Sequence, residues 1–123
     1  MKLVLDTGAL IALERDDRRM WTLLRRTDVF PMTHGGVVGQ AWRKGGPRQA
    51  LLARALAGIE VHPLDEAMGR EAGRLLAAAR RADVIDAAVV LLAHDDDVIA
   101  TSDPDDLVPL AETLGREIEI IVV

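Results

Sequence analysis

The sequence predicts an α/β fold, a single-domain α/β/α sandwich around a five-stranded, mostly parallel sheet. Three observations carry that expectation. Five short apolar runs are separated by helical stretches, the order that right-handed βαβ units produce. Most of those runs are continuously apolar rather than alternating, as strands covered on both faces must be. The chain has 123 residues and is half hydrophobic, which is the length of one domain and enough apolar surface for a real core.

Each element has a local reason. Lys2 to Leu5 is an apolar run ending at an acid, and reads as a buried strand. Thr7 to Leu13 follows as a short helix. Asp16 and Asp17 open a second helical stretch to about Arg26, with Met20, Trp21, Leu23 and Leu24 on its apolar side. Val29 to Met32 is a brief strand, and Thr33 is placed to cap the next helix, which carries Val37, Val38, Ala41 and Trp42. Gly45-Gly46-Pro47 breaks that helix. Pro47 suits the first turn of another, which runs to Ala57 and stops at Gly58. Ile59 to Val61 is the third strand. Asp65 to Arg81 and Asp83 to His94 are helices, the second almost wholly apolar after its first turn. Asp95-Asp96-Asp97 reads as a polar turn, Val98 to Ala100 as a strand, Pro104 to Leu114 as a helix and Ile118 to Val123 as the last strand.

Composition excludes several classes. There is no cysteine, so disulfides, thiolate metal sites and cysteine nucleophiles are out, and the cytoplasm is the expected compartment. No apolar run reaches the roughly 18 residues of a membrane span, and the opening apolar stretch is too short for a signal peptide. Trp21, Phe30 and Trp42 are the only aromatics, too few for an extended base-stacking platform. The net charge of −5 hides a split: residues 1–62 carry +4 and residues 63–123 carry −9. Such halves suit an anionic substrate and a cation respectively, or are two ordinary solvated faces.

Ligands of open α/β sheets bind beyond the carboxyl ends of the strands. Asp6 ends the first strand, Asp103 lies just past the fourth after Thr101-Ser102, and Asp86 sits in the first turn of the apolar helix. Three carboxylates gathered at one end of a sheet repel one another unless a hard divalent cation shares them, and Mg²⁺ prefers such oxygen ligands at roughly 2.1 Å, with Mn²⁺ its substitute. Each acid also has a capping role open to it: Asp6 ahead of Thr7, Asp83 with Asp86 one turn on, and Asp103 before Pro104-Asp105-Asp106. His34, His62 and His94 share no metal-ligand spacing.

Four segments resemble the PIN-domain family, specifically VapC-type toxin ribonucleases of type II toxin–antitoxin pairs. They are Leu3-Val4-Leu5-Asp6-Thr7-Gly8-Ala9-Leu10-Ile11-Ala12-Leu13, Val37-Val38-Gly39-Gln40-Ala41-Trp42-Arg43, Asp83-Val84-Ile85-Asp86-Ala87, and the stretch from Ile99 through Asp103 and Asp106 to Leu107. They occur in order across nearly the whole chain, so the resemblance makes residues 1–123 one PIN domain. It implies a Mg²⁺-dependent endoribonuclease in which Asp6, Asp86 and Asp103 are the catalytic, metal-holding residues. Gln40, Asp83, Thr101 and Asp106 take supporting places, and Arg15, Arg43 and Lys44 meet RNA phosphates. It also implies a homodimer and a cognate antitoxin protein laid over helices near residues 15–55, with Met20, Trp21, Leu23, Leu24 and Trp42 as apolar anchors. The one departure is Gln40, where the family has Glu; it keeps an oxygen but loses a charge. A PIN-like module that binds RNA or protein without cutting is the alternative that this departure opens. A phosphoryl-accepting regulator domain is poorly served, since the only lysines are Lys2 and Lys44, and an Asp-x-Asp phosphatase is poorly served by Thr7-Gly8 after Asp6.

Overall fold

The computed structural model describes residues 1–123 and holds an all-parallel five-stranded sheet between two helical layers. The strands are β1 (Lys2–Leu5), β2 (Phe30–His34), β3 (Glu60–His62), β4 (Val98–Thr101) and β5 (Glu119–Val122). Their spatial order is β3-β2-β1-β4-β5. On one face lie α1 (Thr7–Glu14), α2 (Arg18–Leu24), α3 (Gly35–Ala41) and α4 (Ala50–Ala57), the last entered through a 3₁₀ turn at Pro47–Gln49. On the other lie α5 (Glu66–Ala79), α6 (Val84–Leu92) and α7 (Pro104–Leu114).

The core explains why the strands read as apolar runs. Leu3, Val4 and Leu5 of the central strand are completely buried, as are Ile99 and Ala100 beside them. Helix α6 is apolar nearly all round because it rests on β1 and β2 between α5 and α7. Ala87, Ala88, Val89 and Val90 in its middle expose no surface. No helix is long and apolar enough to cross a membrane.

The chain runs outward from β1 through β2 to β3, then returns to the other side of β1 with β4. The strand order therefore reverses between β1 and β4, which is where open α/β sheets form their ligand crevice. Asp6 leaves β1 and Thr101-Ser102-Asp103 leave β4 at this point.

Four local expectations are corrected. Strand β2 ends at His34 rather than Met32. Thr33 and His34 are fully buried, Thr33 Oγ1 donating to Leu5 O at 2.7 Å, so the strand continues through two polar residues. His34, not Thr33, then caps α3, its Nδ1 accepting the Gly36 N–H at 3.0 Å. Asp97 is a latch rather than mere turn. Its two carboxylate oxygens accept the Lys2 and His94 N–H groups, both at 2.9 Å, with the Lys2 ammonium 3.5 Å away. Burial pushes its pKa up, but these bonds and the Lys2 charge outweigh that and hold it below the usual value. Met20 and Trp21 are core residues, 2% and 9% exposed, and the indole N–H of Trp21 donates to Leu13 O. They are therefore not accessible at the surface as the sequence suggests, whereas Trp42 is 37% exposed.

Candidate functional site

Thr101, at the end of β4, organises the crevice. Its hydroxyl donates to Asp6 Oδ2 at 2.9 Å, and its oxygen accepts the backbone N–H of Asp103 at 3.0 Å. The other Asp6 oxygen accepts the Thr7 N–H at 2.8 Å, so a carboxylate only 5% exposed is fixed from two sides. The close seating of α1 against the β4–α7 turn requires Gly8. A Cβ there would run into the Ser102 side chain and stand 2.9 Å from its backbone nitrogen.

The capping roles separate the acids. Asp83 is a cap, with one oxygen accepting from the N–H groups of Ile85 and Asp86 at 2.9 and 3.1 Å. Asp103 stands at the cap position of α7, yet its carboxylate bonds no helix N–H and accepts only the Ser102 hydroxyl at 3.3 Å. Asp86 is half-buried beside a cavity of about 200 Å³ that Asp83, Asp106 and Arg81 also line. Burial foremost, and then the charges of Asp83, Asp6, Asp106 and Asp103, push its pKa up to about 7. Every acid that the resemblance implies therefore acts on Asp86. The side chains do not close into a set of three that would ligate one ion directly. The carboxylates thus share a field without converging to contact.

That donor set fits Mg²⁺ in chemistry. It is all hard oxygen, and Mg²⁺ keeps several waters while taking only one or two carboxylates, so a triad of direct ligands is not demanded of the protein.

Gln40 sits next to this rim. Its side-chain oxygen accepts the hydroxyl hydrogen of Thr7, the residue after Asp6, so position 40 lies against the start of α1. Arg15, Arg43 and Lys44 come together with Arg48 around a groove of about 590 Å³, which Gln40 also lines.

Two residues that the sequence reading passed over position these groups. His34 ties α3 to α6: with Nδ1 accepting from Gly36, Nε2 carries the hydrogen and donates to Ile85 O at 3.0 Å, one residue before Asp86. Burial depresses its pKa, outweighing the Ile85 carbonyl and the Asp6 charge, so it stays neutral. Gln49, 5% exposed, closes the loop after α3. Its Oε1 accepts from the N–H groups of Arg43 and Gly45, and its amide nitrogen donates to Ala41 O. Neither residue has a periodic or motif signal; their partners are backbone groups that no local pattern announces.

In comparison with known proteins, no family model and no curated protein matches the chain.

Proposed function

We propose that the protein is a Mg²⁺-dependent ribonuclease. The observation that carries this reading is the Thr101 bridge, which brings Asp6 and Asp103, 97 residues apart in sequence, to the crevice between β1 and β4. Mg²⁺ supplies Lewis-acid stabilisation of charge developing on a phosphate when bound. Asp6, Asp86 and Asp103 would hold it together with its bound waters rather than as three direct ligands. Thr101 and Thr7 fix the Asp6 oxygens, Asp83 and His34 fix the start of α6, and Asp106 adds to the field on Asp86. The cations of Arg15, Arg43 and Lys44 favour a polyanionic substrate on the adjoining face. The place of this nuclease as the toxin of a toxin–antitoxin pair, with a second copy of itself and a small antitoxin as partners, is supported by the four-segment resemblance to VapC-type PIN domains.

A second reading is favoured by Gln40, which leaves the rim one charge short. In it the domain binds RNA or protein at the same surface without cutting. Metal affinity separates the two. Calorimetric titration with Mg²⁺ near pH 8 is expected to show binding that weakens about tenfold near pH 6, as Asp86 takes up a proton. Absence of Mg²⁺ binding at millimolar concentration near pH 8 would leave the binding module.

A further inference from the structure

Arg81 is the one cation that lines the cavity beside Asp86, together with Ala82, Asp83, Asp106 and Leu110. Three carboxylates share that cavity of about 200 Å³ with it, yet Arg81 enters no ion pair. Other arginines near carboxylates behave differently: Arg26 pairs with Asp28 at 2.7 Å and Arg70 with Glu66 at 3.3 Å. The backbone fixes where Arg81 stands. Helix α5 closes on Arg80 in the left-handed region (φ 56°, ψ 47°), a place that usually falls to glycine. The N–H groups of Arg80 and Arg81 both donate to Leu76 O, that of Arg81 at 3.0 Å. Two residues on, Asp83 caps α6. Arg81 is thus held between two closed helix ends, and its exposed side chain serves neither of them.

We propose that Arg81 is a phosphate-binding residue of the crevice, its guanidinium donating to the non-bridging oxygens of the phosphate that is cut. This rests on the ribonuclease reading and adds a contact on the α6–α7 side, apart from the cations of the α1–α3 groove. The charges argue for it. Three carboxylates repel a phosphodiester, so a phosphate enters their cavity only where cations offset them. Mg²⁺ is one such cation when bound, and Arg81 is the one that the chain itself supplies. A guanidinium present only to neutralise the acids would pair with one of them. Left unpaired, its planar fork keeps two parallel N–H groups for two phosphate oxygens.

Two readouts test this, one of them without cleavage. With saturating Mg²⁺, inorganic phosphate is expected to raise the thermal unfolding temperature of the parent, and in EDTA to leave it unchanged. Arg81→Ala is expected to lose the phosphate shift, while its Mg²⁺ affinity by calorimetry stays level or rises because a neighbouring cation is gone. Cleavage of single-stranded RNA at saturating substrate is expected to fall at least about tenfold in Arg81→Ala. Arg81→Lys is expected to fall between, since an ammonium keeps the charge without the fork. Arg80→Ala removes the adjacent charge outside the cavity and is expected to change neither readout. A parent with no phosphate shift in Mg²⁺, or a shift that survives Arg81→Ala, would overturn the proposal. So would weaker Mg²⁺ binding in Arg81→Ala, which would make Arg81 a support for the acids, or equal losses in Arg80→Ala, which would reduce it to general positive potential. Mg²⁺-dependent cleavage that Arg81→Ala leaves undiminished would remove Arg81 and keep the ribonuclease reading. A phosphate shift that Arg81→Ala abolishes, in a protein that cuts no RNA, would keep the phosphate contact and remove that reading.

Discussion

Asp86 carries a proton near neutrality because its surroundings penalise the charge. Its folded pKa of about 7 lies above the unfolded value of 3.8, so between those values the unfolded state binds fewer protons and stability falls as pH rises. Without metal, Asp86→Asn is therefore expected to stabilise the fold by about 1–2 kcal/mol near pH 8, discounted for the partial exposure of the group, with the gain gone below about pH 4. Urea unfolding in EDTA across that range checks it, and a pH-independent difference would contradict it. Position 40 is probed from the other direction. Gln40→Glu adds an anion beside Thr7 and Asp6, and is expected to cost up to about 1 kcal/mol without metal at low salt. If it tightens Mg²⁺ binding tenfold, saturating metal returns about 1.4 kcal/mol more to the variant than to the parent. Identical Mg²⁺-dependent shifts in thermal unfolding would mean that position 40 does not see the metal.

At the scale of elements, the crevice depends on how closely α1 approaches the β4–α7 turn. Gly8→Ala is expected to destabilise by about 1–3 kcal/mol, because the added methyl meets Ser102 backbone as well as its side chain. Chemical denaturation measures this, and a neutral variant would mean that the turn yields freely. The end of β1 at Asp6 was legible in the sequence because an apolar run halting at an acid is a local signal; β4 was legible as an apolar run closed by Thr101-Ser102, with Asp103 just past it. The same is true of α7, found at Pro104–Leu114 as the Pro104-Asp105-Asp106 start predicts. Where polar residues are buried, the sequence misleads. Thr33 and His34 extend β2 because Leu5 O, Gly36 N–H and Ile85 O satisfy them, and those partners lie on three other segments. Gln49 gives no signal in the sequence, yet it holds the groove loop from beneath. Trp21 looks like an interface anchor until Leu13 O is found at its indole nitrogen.

For the whole molecule, the split between a basic first half and an acidic second half acquires a spatial meaning. Arg15, Arg43, Lys44 and Arg48 gather on the α1–α3 side, and Asp83, Asp86, Asp103 and Asp106 share a field with Asp6 at the neighbouring crevice. An anionic chain on the first and a divalent cation in the second are complementary demands on one end of the sheet. The most direct test is a cleavage assay on single-stranded RNA with Mg²⁺ and with EDTA, beside an Asp6→Asn variant whose fold is verified by circular dichroism. Cleavage is expected only with Mg²⁺ and is expected to drop at least about a hundredfold in Asp6→Asn. Cleavage that persists in EDTA, or that Asp6→Asn leaves undiminished, would contradict a metal-dependent ribonuclease built on these carboxylates.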